Sequence, residues 1–66
     1  MKIKNILVYY RNRAGLTQEQ LSERSGVSLS TIVRMERDEC HIHNAKGTTL
    51  KKIADTLNVK VEHFFD

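Results

Sequence analysis

The side chains best able to do chemistry fall in two places. Ser28, Leu29, Ser30, Thr31 and Arg34 lie close together in the chain. Hydroxyls and a guanidinium hydrogen-bond to phosphates or base edges, and an arginine can hold O6 and N7 of one guanine together. A leucine beside them can meet a thymine methyl group. The second place is Cys40, His41 and His43. Thiolate and imidazole suit zinc, but adjacent and alternate residues in a polar segment rarely wrap one ion unaided, and no fourth ligand is obvious beyond the distant His63. No metal and no cofactor are therefore expected. No nucleophile–base pair has a workable spacing, and no glycine loop could cradle a phosphate, so the pattern points away from an enzyme.

These residues need elements to hold them. From Thr17 to Glu36 the chain reads TQEQLSERSGVSLSTIVRME, the layout of two short helices and a tight turn. Thr17 with Gln20 three residues on forms a capping box. Gly26 supplies the backbone freedom that a reversal demands, and Ser28 caps the second helix. In that helix Ile32 and Met35 share one face, and Ser30, Thr31 and Arg34 fall elsewhere. Before it, Ile3, Ile6, Leu7 and Tyr10 follow the helical period, which predicts a helix over about Lys2 to Ala14. Gly15 ends that helix, with Leu16 folding back. The segment from Arg37 to Gly47 has no apolar period and reads as a loop. Thr48 or Thr49 then caps a helix with the stripe Leu50, Ile53, Ala54 and Leu57, ended by a left-handed Asn58. Val59, Val61, Phe64 and Phe65 form a short last helix. The expected core is Ile3, Ile6, Leu7, Tyr10, Leu16, Leu21, Val27, Ile32, Met35, Leu50, Ile53, Ala54, Leu57, Val59, Val61 and Phe64.

With 66 residues the chain is expected to form one small domain, 1–66. A content of 39% hydrophobic and 29% charged residues argues for a folded rather than a disordered chain. The formal net charge of +3 permits a polyanionic partner without requiring one. A lone cysteine forms no internal disulfide, which fits a reducing, intracellular compartment. The start, MKIKNILVYYRNR, has too short an apolar run for a signal peptide or a membrane span.

The run Arg11-x-x-x-Gly15-Leu16-Thr17-Gln18-Glu19-Gln20-Leu21, then Ser25-Gly26-Val27-Ser28, Thr31-Ile32-x-x-Met35-Glu36 and Leu50-x-x-Ile53-Ala54-x-x-Leu57-Asn58-Val59 resembles the Cro/CI (Xre-like) helix-turn-helix regulators of phages and bacteria. Separate segments agree in order and spacing over nearly the whole chain. The resemblance implies an all-α, five-helix, lambda-repressor-like DNA-binding domain. It implies a sequence-specific regulator that binds pseudo-palindromic double-stranded operator DNA as a homodimer, with the helix at about 28–36 in the major groove. That docking geometry belongs to the family.

Residue by residue, the resemblance makes Arg34 the first candidate for base reading, with Ser28, Leu29, Ser30 and Thr31 beside it. Gln18 matches a phosphate clamp. Arg13, Arg37, Lys46 and Arg24 are further phosphate candidates. Arg11 and Glu36 match a structural ion pair. Independently of the resemblance, so small a core cannot bury all of Val61, Phe64 and Phe65, which makes Val61 with Phe65 the candidate two-fold dimer contact. There are departures. Ser22 replaces a small apolar residue, so its hydroxyl should bond back to its own helix. Ser25 also stands at an apolar position, and the loop after Arg37 is longer than usual and lacks the usual proline. A cytoplasmic, nucleoid-associated protein with no membrane attachment is implied. The competing reading is a protein-interaction or antitoxin-like helix-turn-helix module that uses its apolar last helix.

Overall fold

The computed structural model describes residues 5–65. Among these are five α-helices and a closing 3-10 turn, with no strand: α1 Ile6–Arg13, α2 Gln18–Ser25, α3 Leu29–Arg37, α4 Cys40–His43, α5 Gly47–Leu57 and the turn Val61–Phe64. The all-α architecture expected from the sequence is the one observed, but its ends and one of its helices differ.

Helix α1 begins at Ile6 rather than near Lys2. Asn5 is extended, at φ −162° and ψ 139°, and its Oδ1 accepts from the N–H groups of Leu7 and Val8. An asparagine cap of this kind fixes where the helix starts. Ile3, which was expected in the core, lies outside the described residues. The other end follows the expected glycine stop. Gly15 has φ +74°, the Leu16 N–H donates to the Arg11 carbonyl at 3.2 Å and the Gly15 N–H to that of Asn12 at 3.0 Å. This crossed pair satisfies two of the carbonyls a helix end leaves free. Leu16 is thereby turned into the core.

The capping box of α2 is complete: Gln20 N–H donates to Thr17 Oγ1 at 3.0 Å, and Thr17 N–H to Gln20 Oε1 at 2.9 Å. Gly26 stops the helix at φ +76°. The Ser22 hydroxyl does not bond within α2 as expected. It donates to the Val27 carbonyl at 2.7 Å, beyond the turn. Ser25 is buried, and its Oγ accepts from the Val27 N–H at 3.2 Å. The two serines therefore hold both backbone groups of Val27. This explains how polar side chains occupy two positions where apolar ones are usual.

The presumed loop after Arg37 contains α4. Asp38 Oδ1 accepts from the Cys40 N–H at 3.0 Å and starts the turn, while Ile42, 1% exposed, anchors it in the core. One apolar residue makes no period, so no helical signal was present to read. Helix α5 starts at Gly47 after an extended Lys46, not after Thr48 or Thr49, and no side chain caps it. Asn58 ends it in the left-handed conformation at φ 59°. The last helix is only a 3-10 turn, which buries Phe64 and leaves Phe65 half exposed.

The core joins Leu7, Leu16, Leu21, Val27, Ile32, Met35, Ile42, Leu50, Ile53, Ala54, Leu57 and Phe64, with Ile6, Tyr10, Ala45, Val59 and Val61 packed around it. Leu21, Ile32 and Ile53 are fully enclosed. Each such side chain contributes about 1.5–3 kcal/mol of burial energy. Helix α2 packs on α3 and α5, and α1 and α4 pack on α3.

Candidate nucleic-acid interface

Helix α3 is two-sided. Ile32 and Met35 are enclosed, whereas Leu29, Ser30 and Arg34 are exposed and Thr31 is half-buried. Leu29, at 38% exposure, is one of the few large apolar side chains left on the surface. Ser28 caps the helix. Its Oγ accepts from the Thr31 N–H at 3.3 Å and shares a hydrogen bond of 2.8 Å with the Thr31 hydroxyl. Arg34 forms no ion pair among the described residues, so its guanidinium is available to an outside acceptor.

The inner edge of α3 is fixed by Glu36. Arg11 Nε and Nη2 donate to its two carboxylate oxygens at 2.6 and 3.0 Å, and Arg11 Nη1 donates to the Leu16 carbonyl at 2.8 Å. The Arg11 and Glu36 side chains are 14% and 6% exposed. Gln18 joins them: its Nε2 donates to Glu36 Oε1 at 3.0 Å. The side chain matched to a phosphate clamp is thus engaged with Glu36 in the free protein. At the opposite end of α1, Asn5 Nδ2 donates to the Met35 carbonyl at 3.0 Å, and the Ile6 N–H donates to Glu39 Oε2 at 2.8 Å. Helices α1 and α3 are therefore clasped at two points. The sequence reading missed Asn5 and Glu39, although an asparagine directly before Ile6-Leu7 is a usable cap signal.

The remaining candidates are distributed unevenly. Thr31 and Arg34 line a groove with His41, Asn44, Lys46 and Thr49. Arg34 and Arg37 line a second with Asp38 and His41, and Gln18 and Arg37 share a third with Val33 and Glu36. Arg13 lines a separate groove with Tyr10, Leu57 and His63. Arg24 is exposed in the last turn of α2. Val61 is half-buried, and Phe65 stacks on His43 at 5.3 Å between ring centres. His41 and Asn44 join the surface beside Arg34 because α4 forms, which the sequence reading did not foresee.

The corner between α3 and α4 is electrostatically organised. Asp38 is held below the usual carboxylate range chiefly by the Cys40 backbone N–H, then by the Cys40 thiol, with a smaller contribution from His41. Cys40 is pushed up, first by loss of hydration and then by the Asp38 carboxylate. This raised, exposed thiol is the opposite of an activated one. Among the described residues no group of histidine, cysteine and acidic side chains is arranged to hold a metal ion.

Two short helices about a glycine turn, with the second helix exposed along one face, define a helix-turn-helix protein. The chain belongs to that family, in its Xre or Cro/CI-like form: the family described as "Helix-turn-helix" matches residues 7–64. It is 38% identical over 63 residues to an uncharacterized HTH-type transcriptional regulator of Methanocaldococcus jannaschii, a match covering 96% of this chain and 91% of the relative. It is also 38% identical over 65 residues to the HTH-type transcriptional regulator SlrR of Bacillus subtilis. That match covers 97% of this chain but 41% of SlrR. No solved structure matches significantly. No helix among the described residues is long and apolar enough to cross a membrane.

Proposed function

We propose that this chain is a sequence-specific regulator that reads double-stranded DNA with α3 in the major groove. The observation that carries the proposal is the division of α3: apolar side chains inward, with Leu29, Ser30 and Arg34 exposed, Thr31 half-buried beside them, and no ion pair on Arg34 among the described residues. Arg34 reads a base edge. Ser28 and Arg37 contact phosphate, and Gln18 keeps a second amide hydrogen for the backbone while the first holds Glu36. Residues 1–66 act as one unit. The regulator works as a homodimer joined through Val61 and Phe65, which places two copies of α3 in successive major grooves about 34 Å apart on a pseudo-palindromic site. It works in the cytoplasm, on the nucleoid, by occupying promoter DNA.

The test is selection of duplexes from a random pool, with the solution mass measured alongside. The expected result is a symmetric site bound by a dimer, with affinity falling steeply as salt rises. Arg34→Ala should leave the melting temperature unchanged and lose roughly 1–3 kcal/mol of discrimination at one base position per half-site. Unchanged selectivity in Arg34→Ala, or no sequence preference in the wild type, refutes the reading. A stoichiometric protein partner that occupies the Phe65 face and excludes DNA would support the interaction-module reading instead.

A further inference from the structure

We propose that His41 makes DNA binding by this chain pH-sensitive, adding one phosphate contact when it is protonated. The proposal rests on the DNA-binding reading above and concerns the regulation of that same surface.

His41 is exposed on α4 and lines both grooves that flank Arg34. The groups facing it are Arg34 and Arg37 from α3, Asp38 at the corner and Lys46 before α5; α5 itself contributes only the uncharged Thr49. Across the two grooves His41 shares its walls with three cations and one carboxylate, and that carboxylate already accepts from the Cys40 N–H. When DNA covers the surface, phosphates neutralise those cations and favour the imidazolium, because a nearby opposite charge stabilises the charged form. Histidine is the side chain whose ordinary titration falls between about pH 5 and 8. A proton taken up on binding must make binding tighter as pH falls, by linkage.

The other two histidines are placed differently. His43 stacks on Phe65. His63 accepts the Lys60 N–H on Nδ1 at 3.0 Å and lies 6.0 Å from the Tyr10 ring. Neither lines a groove with Arg34.

The experiment uses the full chain and a duplex of about 24 base pairs, long enough for two half-sites, selected by the protein from a random pool at about pH 8, where histidine is neutral. Affinity is measured at pH 6 and pH 8 at matched ionic strength. The wild type should bind roughly three- to tenfold tighter at pH 6, and its salt slope should steepen by up to about 1.8, about 0.9 for the phosphate contact added by each protomer. His41→Gln should be flat across this range. His41→Lys should bind at pH 8 as the wild type does at pH 6. Thermal melts of both variants check the fold. A wild type without pH dependence, or a His41→Gln variant that retains it, overturns the proposal and leaves the DNA-binding reading standing. Absence of DNA binding at both pH values overturns both.

Discussion

Replacing Arg11 with alanine removes three hydrogen bonds at once: two to Glu36 and one to the Leu16 carbonyl. What remains is a Glu36 carboxylate, 6% exposed, with Gln18 as its donor. Breaking one side of a buried pair costs roughly 3–5 kcal/mol, because the surviving charge keeps its desolvation penalty without its partner. A domain of this length holds about 3–10 kcal/mol in total, at about 0.05–0.15 kcal/mol per residue. The substitution therefore removes between a third and all of the stability. Urea unfolding followed by helical circular dichroism measures it directly. With a slope of about 1 kcal/mol/M the midpoint should fall by about 3 M, or the chain should not fold at all. Arg11→Lys keeps the charge but loses the two-pronged fork, and should fall between. The combined variant Arg11→Met, Glu36→Leu should regain most of the loss, since it leaves no orphan charge. A midpoint shift under about 0.5 M for Arg11→Ala, or a combined variant no better than the single one, would refute the reasoning.

Ile42→Ala should cost about 2–5 kcal/mol in the same titration; a loss below about 1 kcal/mol would mean that the segment after Arg37 is a surface loop after all. The Cys40 thiol, titrated by its rate of alkylation, should ionise above the range of an ordinary cysteine, and Asp38→Asn should move the midpoint down. The sign follows from the direction: folding favours the neutral thiol, so this contribution fades as pH rises through the alkaline range. Asp38 works oppositely. Its carboxyl ionises at lower pH when folded, so its contribution is complete above the ordinary carboxylate range and fades on acidification.

What could be read from the residues was whatever obeys a local rule. The Thr17–Gln20 box, the Gly15 and Asn58 stops and the Gly26 turn each depend on a few consecutive residues, and all are present. The inner seam of α3 followed from helical period alone. The Arg11–Glu36 pair spans 25 positions, and only family resemblance brought the two together. The third member, Gln18, came with a different role. Helix α4 escaped notice because its stability comes from tertiary burial of one residue, Ile42, and not from any repeat. Ser22 was expected to look inward along its own helix. Its choice of Val27 depends on where the turn brings that carbonyl, which no spacing rule encodes. The Asn5 and Glu39 clasp likewise joins groups 30 and 33 positions from their partners.

The division of labour along α3 has a consequence for how such a chain can change. Leu29, Ser30 and Arg34 project into water, while Ile32, Met35 and Glu36 hold the scaffold. Exchange of the first set costs the fold almost nothing, because exposed substitutions away from caps and buried networks shift stability by about 0.5 kcal/mol or less. The outward face of α3 can therefore be rewritten one side chain at a time, without ever crossing a valley of unfolded intermediates.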